Sequence, residues 1–190
     1  AAAELTVGDP AQLATDVGPV IDAEALALLR AHAGRMDREA RLLCRVEPAG
    51  DFAHGTFFAP RIYRIDALSQ LKGEVFGPIL HVINYAAERL DAVIEAVNNT
   101  GYGLTLGIHS RVETTVRYIH DRLRVGNTYV NRDMIGAVVG VQPFGGEGLS
   151  GTGPKAGGPR YLHRFATERT LSVNTAASGG NAQLMTLQDK

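Results

Sequence analysis

Apolar side chains at Ile21, Ala25, Leu28, Leu29 and Met36 recur at helical spacing and predict an amphipathic helix over residues 22–36, with Asp22 as its N-cap. Two extended runs follow, residues 41–46 and 57–65, separated by a Pro-Ala-Gly-Asp turn at 48–51. Residues 79–85 form a short apolar run that reads as a buried strand. Leu90, Val93, Ile94 and Val97 mark a second helix, ended by Asn98-Asn99-Thr100-Gly101. A strand over 104–109 leads into a third helix. Its start is signalled by a capping-box pair, Ser110 and Glu113, ahead of Val112, Val116, Ile119 and Leu123. Residues 127–131 read as a strand and 137–141 as an apolar run. The stretch 145–158 holds seven glycines, too many for a regular element. Residues 171–174 fit a last strand before a tail of small residues at 176–180. Strands alternating with helices predict an α/β domain with a largely parallel sheet.

Composition narrows the function classes. Nineteen basic against twenty acidic residues give a net charge of −1, so there is no electrostatic footprint for nucleic acid or an anionic membrane. The single cysteine, Cys44, excludes an internal disulfide and a Cys-rich metal site. Six histidines (32, 54, 81, 109, 120 and 163) show no ligand spacing, so no metal is expected. His81 and His109 fall in predicted strands and are expected to be structural. No window approaches the roughly 18 apolar residues of a membrane span, and the first residues do not resemble a signal peptide. The expectation is a soluble, cytoplasmic chain.

Few segments carry chemistry. Gly146-Glu147-Gly148-Leu149-Ser150-Gly151 satisfies G-x-G-x-x-G, but Gly153-Pro154 and Gly157-Gly158-Pro159 forbid the helix that a dinucleotide fingerprint opens. Cys44 lies in a strand-like run beside Arg45 and reads as a small core hydrophobe rather than a nucleophile. Glu74-Val75-Phe76-Gly77-Pro78 puts an acid and an aromatic just ahead of a buried strand. Val141-Gln142-Pro143-Phe144-Gly145-Gly146 sets one aromatic among bare glycine backbone, which suits close approach of a small ligand.

In this order the segments resemble the aldehyde dehydrogenase superfamily. Glu74-Val75-Phe76-Gly77-Pro78 is similar to its E-x-F-G-P motif, and Tyr102-Gly103-Leu104 to its Y-G-L segment. Gly126-Asn127-Thr128-Tyr129-Val130-Asn131 is similar to its G-x-x-x-V-N strand. Pro143-Phe144-Gly145-Gly146 with Ser150-Gly151-Thr152-Gly153 resembles its P-F-G-G and S-G-x-G loop. Within the superfamily the chain resembles the L-glutamate γ-semialdehyde (pyrroline-5-carboxylate) dehydrogenases, most closely the module at the end of bifunctional proline-catabolic proteins. Val7-Gly8-Asp9-Pro10, the run from Thr15 to Asp22, and Gly153-Pro154-Lys155-Ala156-Gly157-Gly158-Pro159 carry that likeness.

The resemblance implies a partial three-layer α/β fold, helices on both faces of the sheet. Residues 1–165 would be the C-terminal portion of the catalytic domain, and residues 166–190 a strand and tail for homo-oligomerisation. It implies NAD as cofactor, with Glu74 on the nicotinamide-side ribose and Phe76 beside the nicotinamide. FAD enters only if a proline dehydrogenase domain precedes this region. Gly136 and Ala137 match the anchor for the carboxylate of a small aldehyde substrate, and Phe144 the wall along its aliphatic part. The family's nucleophile stands in a Gly-Gln-x-Cys context that this stretch lacks, so no catalytic residue is assigned here and the stretch alone is expected to be inactive. The competing expectations are a non-catalytic assembly module and an aldehyde dehydrogenase of different substrate range.

Overall fold

The computed structural model describes residues 1–47, 54–151 and 153–174. It divides into two compact units, Ala1–Thr100 and Gly101–Lys190, and the boundary falls at the predicted helix stop.

In the first unit, α1 (Ala23–Glu39) begins at Asp22, whose carboxylate accepts from the Ala25 N–H at 2.8 Å. That bond satisfies one of the four orphan N–H groups of a helix start. The helix runs three residues past the predicted end and buries a different stripe. Leu26, Leu29, Ala33 and Met36 face inward at i, i+3, i+7 and i+10, while Leu28 is 63% exposed and Ile21 lies outside the helix, exposed. The sequence around Leu28 and Leu29 is apolar on two adjacent faces, and the sheet selects one of them.

That sheet has the order β1-β2-β3, with β1 (Arg41–Arg45), β2 (Arg61–Arg64) and β3 (Ile79–Val82). β2 runs antiparallel to β1, through a bulge between Leu42 and Cys44, and parallel to β3. The expected turn at 48–51 lies outside the described residues. β2 starts four residues later than predicted because Pro60 has no N–H to place in a ladder; its carbonyl still accepts from Val46 at 3.0 Å. Tyr63 and Ile65 pack with Met36 in one buried cluster, and Leu26, Leu29 and Ala33 with Phe58 in another, each joined by Ile79. Truncating a fully buried member such as Leu29 or Met36 to alanine costs about 2–5 kcal/mol.

Polar contacts lock α1 to the sheet. The Tyr63 hydroxyl donates to Asp37 Oδ1 at 2.6 Å, and Asp37 also pairs with Arg61 at 3.2 Å and Arg45 at 3.5 Å. His32 and His81 meet through their Nε2 atoms at 3.0 Å. Arg35 lies 3.5 Å from His32 Nδ1 and has only donors, so His32 carries its proton on Nε2 and donates to His81. His81 is thus a structural residue, as expected. α2 (Leu90–Asn98) buries Ile94 on the predicted stripe and ends where Thr100 Oγ1 donates to the Val97 carbonyl.

In the second unit, β5 (Thr105–Ile108), α3 (Glu113–His120) and β6 (Asn127–Val130) form a β-α-β unit with parallel strands. His109 lies just past β5 and is exposed. α3 begins later than a capping box on Ser110 requires, because Ser110 is used elsewhere. Its Oγ accepts from Val112 and its backbone is tied to the Asn131 side chain by two bonds of 3.0 Å. β4 (Tyr102–Gly103) pairs antiparallel with β7 (Glu147–Gly148) inside the glycine-rich stretch. Both units are mixed α/β, and among the described residues parallel and antiparallel pairs form three small sheets rather than one largely parallel sheet. Residues 171–174, expected as a strand, are exposed and join no ladder among the described residues.

Candidate functional site

Glu74 and Phe76 stand on the loop that enters β3. Both are exposed, Phe76 to 89%. The loop can present them because Gly77 has no side chain: a Cβ there would overlap the methyl groups of Leu29, which is fully buried in α1. The glycine of this motif therefore seats the loop on the core, and Glu74 and Phe76 are left facing outward.

The remaining predicted residues share one segment of the second unit, 131–144. Asn131 leaves β6 with φ 54°, the left-handed region that asparagine tolerates. Met134 then packs over Gly107 of β5. Gly136 has φ 72° and stands in open space, while Ala137 is half-buried. Residues 138–142 close into a turn in which the Val138 carbonyl accepts from Gln142 N at 2.7 Å and Gln142 Oε1 accepts from Val138 N at 3.3 Å. Among the described residues, the N–H groups of Gly136 and Ala137 donate to no other group of the chain. Two adjacent backbone donors, one of them on a left-handed glycine, are the kind of group that binds an anion such as a carboxylate.

Phe144 is 37% exposed, its backbone fixed by two bonds to Ala156, N to O at 3.0 Å and O from N at 2.8 Å. The glycines around it also serve the packing of the chain on itself. A Cβ at Gly126 would overlap the Gly145 carbonyl, one at Gly146 would meet the Ser150 and Gly103 carbonyls, and one at Gly148 the Gly101 carbonyl. They let the loop lie backbone against backbone on β4 and on the start of β6. Of the G-x-G-x-x-G pattern, Glu147 and Gly148 form β7 and a turn follows, so no helix opens there.

Two residues the motifs contain but the sequence reading passes over are brought to this loop. Asn127 and Lys155 line a cavity of about 440 Å³ together with Tyr129, Arg132, Gln142 and Pro143. Asn127 is a polar residue opening a strand, a poor β-former there, and Lys155 is the one charge between Glu147 and Arg160. Both signals are legible, but weakly. Cys44 is half-buried in β1, opposite Ile62. Among the described residues no group of three His, Cys, Asp or Glu could hold a metal, and no helix is long and apolar enough to cross a membrane.

The aldehyde dehydrogenase family model matches residues 1–171. A bifunctional protein PutA of Klebsiella aerogenes is 47% identical over the whole chain, which spans 15% of that protein's length. The crystal structure of a Bradyrhizobium japonicum proline utilization A (PutA) variant superposes with a TM-score of 0.85 at 59% identity, covering 93% of this chain and 18% of that one. A 1-pyrroline-5-carboxylate dehydrogenase from Thermus with bound NAD superposes at 0.76 and 37% identity, covering 86% of this chain and 31% of that one. With a family model over residues 1–171 and these likenesses in fold and sequence, the chain belongs to the aldehyde dehydrogenase family.

Proposed function

We propose that this chain is the substrate-anchoring part of an NAD-dependent dehydrogenase that oxidises L-glutamate γ-semialdehyde to L-glutamate in proline catabolism. The observation that carries this reading is the pair of N–H groups at Gly136 and Ala137, which donate to no other group among the described residues and share the 131–144 segment with Phe144. A substrate bearing a carboxylate gains from such donors, and one without it gains little. Phe144 then lines the aliphatic carbons between the carboxylate and the aldehyde.

The residues present fit NAD. Glu74 is an exposed carboxylate able to accept from ribose hydroxyls, and Phe76 an exposed ring able to pack against a nicotinamide. NAD supplies the hydride acceptor when bound. The chain's own contribution is to orient and bind: Glu74 and Phe76 toward the cofactor, and Gly136, Ala137 and Phe144 toward the substrate. The nucleophilic thiolate and the general base come from sequence outside this stretch, since Cys44 lies within a strand of the sheet packed on α1. We assign residues 166–190 to pairing with a second copy of the enzyme, and place the enzyme in the cytoplasm.

The test is NADH formation from glutamate semialdehyde by this chain and by a longer version carrying a Gly-Gln-x-Cys segment upstream. The longer protein turns over and the short one is silent. Turnover by the short chain would make Cys44 or another group the nucleophile and overturn the assignment.

A further inference from the structure

The backbone on both sides of Phe144 is held by one side chain. Asn127 Nδ2 donates to the Pro143 carbonyl at 3.0 Å, and Asn127 Oδ1 accepts from the Gly145 N–H at 3.3 Å. The amide therefore serves Pro143 and Gly145 as a neighbouring strand would, matching donor to acceptor on either flank of a single residue. An amide can be turned over so that both bonds fail, and Lys155 prevents this. Its ammonium donates to the Gly126 carbonyl and lies 3.4 Å from Asn127 Oδ1. An ammonium has no acceptor, so only the oxygen of Asn127 can face it, and the nitrogen is directed to Pro143.

The two residues are themselves fixed. Asn127 opens β6, and its N–H bonds to Leu104 at 3.1 Å. Lys155 precedes Ala156, which makes both backbone bonds to Phe144. Phe144 is thus gripped through three strands of contact: Ala156 at its own backbone, and Asn127 through Pro143 and through Gly145. Its ring remains partly exposed while its backbone is tied.

We propose that Asn127 and Lys155 are positioning residues which, by clamping the backbone on either side of Phe144, set how well the dehydrogenase discriminates substrates by their aliphatic chain. This rests on the reading that Phe144 lines the substrate pocket. Neither residue touches substrate; each acts through the ring. Asn127→Asp keeps the shape but replaces the donor to Pro143 with an acceptor, and Lys155→Met keeps the stem but frees the amide to turn.

The experiment is a pair of double-mutant cycles in the full-length dehydrogenase that carries this stretch, combining Asn127→Asp or Lys155→Met with Phe144→Ala. KM and kcat are measured for glutamate semialdehyde, and NAD affinity is measured separately. Each single variant raises KM for glutamate semialdehyde about tenfold, the size expected from losing one or two polar contacts, and leaves NAD affinity unchanged. In the Phe144→Ala background the same changes alter KM by less than about twofold, because the ring they seat is gone. Equal factors in both backgrounds, or no effect of either variant alone, would overturn the clamp. If Phe144→Ala by itself leaves KM unchanged, the pocket reading falls first and the clamp with it. If Phe144→Ala raises KM but the clamp variants do not, only the clamp falls. Should Asn127→Asp fail to fold, Lys155→Met and its rescue by Lys155→Arg decide the matter.

Discussion

Single atoms decide several positions in this chain. Gly136 sits at φ 72°, where an L side chain costs about 1–2 kcal/mol. Gly136→Ala therefore strains the loop that carries the two N–H groups. We expect KM for glutamate semialdehyde to rise about tenfold, with a smaller change for an aldehyde lacking a carboxylate. Steady-state kinetics on both substrates check this, and equal effects on the two would remove the carboxylate anchor. Gly77→Ala meets the fully buried Leu29 instead, and forcing atoms into a packed core costs about 1–3 kcal/mol. Denaturant unfolding reads that loss directly. At this scale the sequence marks certain glycines and is silent about why they are there. Gly77 and Gly126 stand in recognisable motifs, yet only the close approach of Leu29 and of the Gly145 carbonyl explains the missing side chains.

The pairing of elements turns on buried polar groups between α1 and the sheet. Tyr63→Phe removes the hydroxyl that donates to Asp37 at 2.6 Å and should cost about 1–2 kcal/mol, seen as a lower unfolding midpoint. The His32–His81 pair makes the same packing sensitive to pH. Burial holds both imidazoles below the ordinary 6.5; the nearby His81 and Arg35 add to this for His32, and Arg35 for His81, while Glu39 acts weakly the other way on His32. Tyr63 stacks on His81 from β2 and raises no charge there at neutral pH. The unfolded chain thus takes up protons at a pH where the folded one does not. Stability is full above pH 6.5 and is lost as pH falls through the lowered values. Thermal unfolding should shift down between about pH 7.5 and pH 5.5, and His81→Gln should flatten that shift. An unchanged slope in the variant would assign the acid sensitivity to other groups. The histidine spacing in the sequence carried no hint of this pair, because α1 and β3 are 49 positions apart at the contact.

Among the described residues, large apolar side chains stand exposed in both units: Ile21 and Phe76 in one, Val139 and Leu171 in the other. Exposed apolar groups of this size drive association. The purified chain should self-associate in size-exclusion chromatography at rising concentration, and a clean monomer throughout would count against an assembly role for it. By itself the sequence determined the α/β class, the three helices, the strands β1, β2, β3, β5 and β6, the N-cap at Asp22, the stop after α2, and the family, because periodicity, caps and motifs are local and survive as text. It could not decide which stripe of α1 turns inward, since two faces are apolar and the choice belongs to the sheet. Nor could it decide that Pro60 would shorten β2 or that Ser110 would bond Asn131 instead of capping α3, because each depends on which distant group competes for the same atoms. The glycine loop is the clearest case. Its residues were legible, but their use as a backbone seam, with Asn127 and Lys155 holding Phe144, exists only once β6 and the loop lie side by side, where hydrogen bonds between remote residues outweigh any local preference.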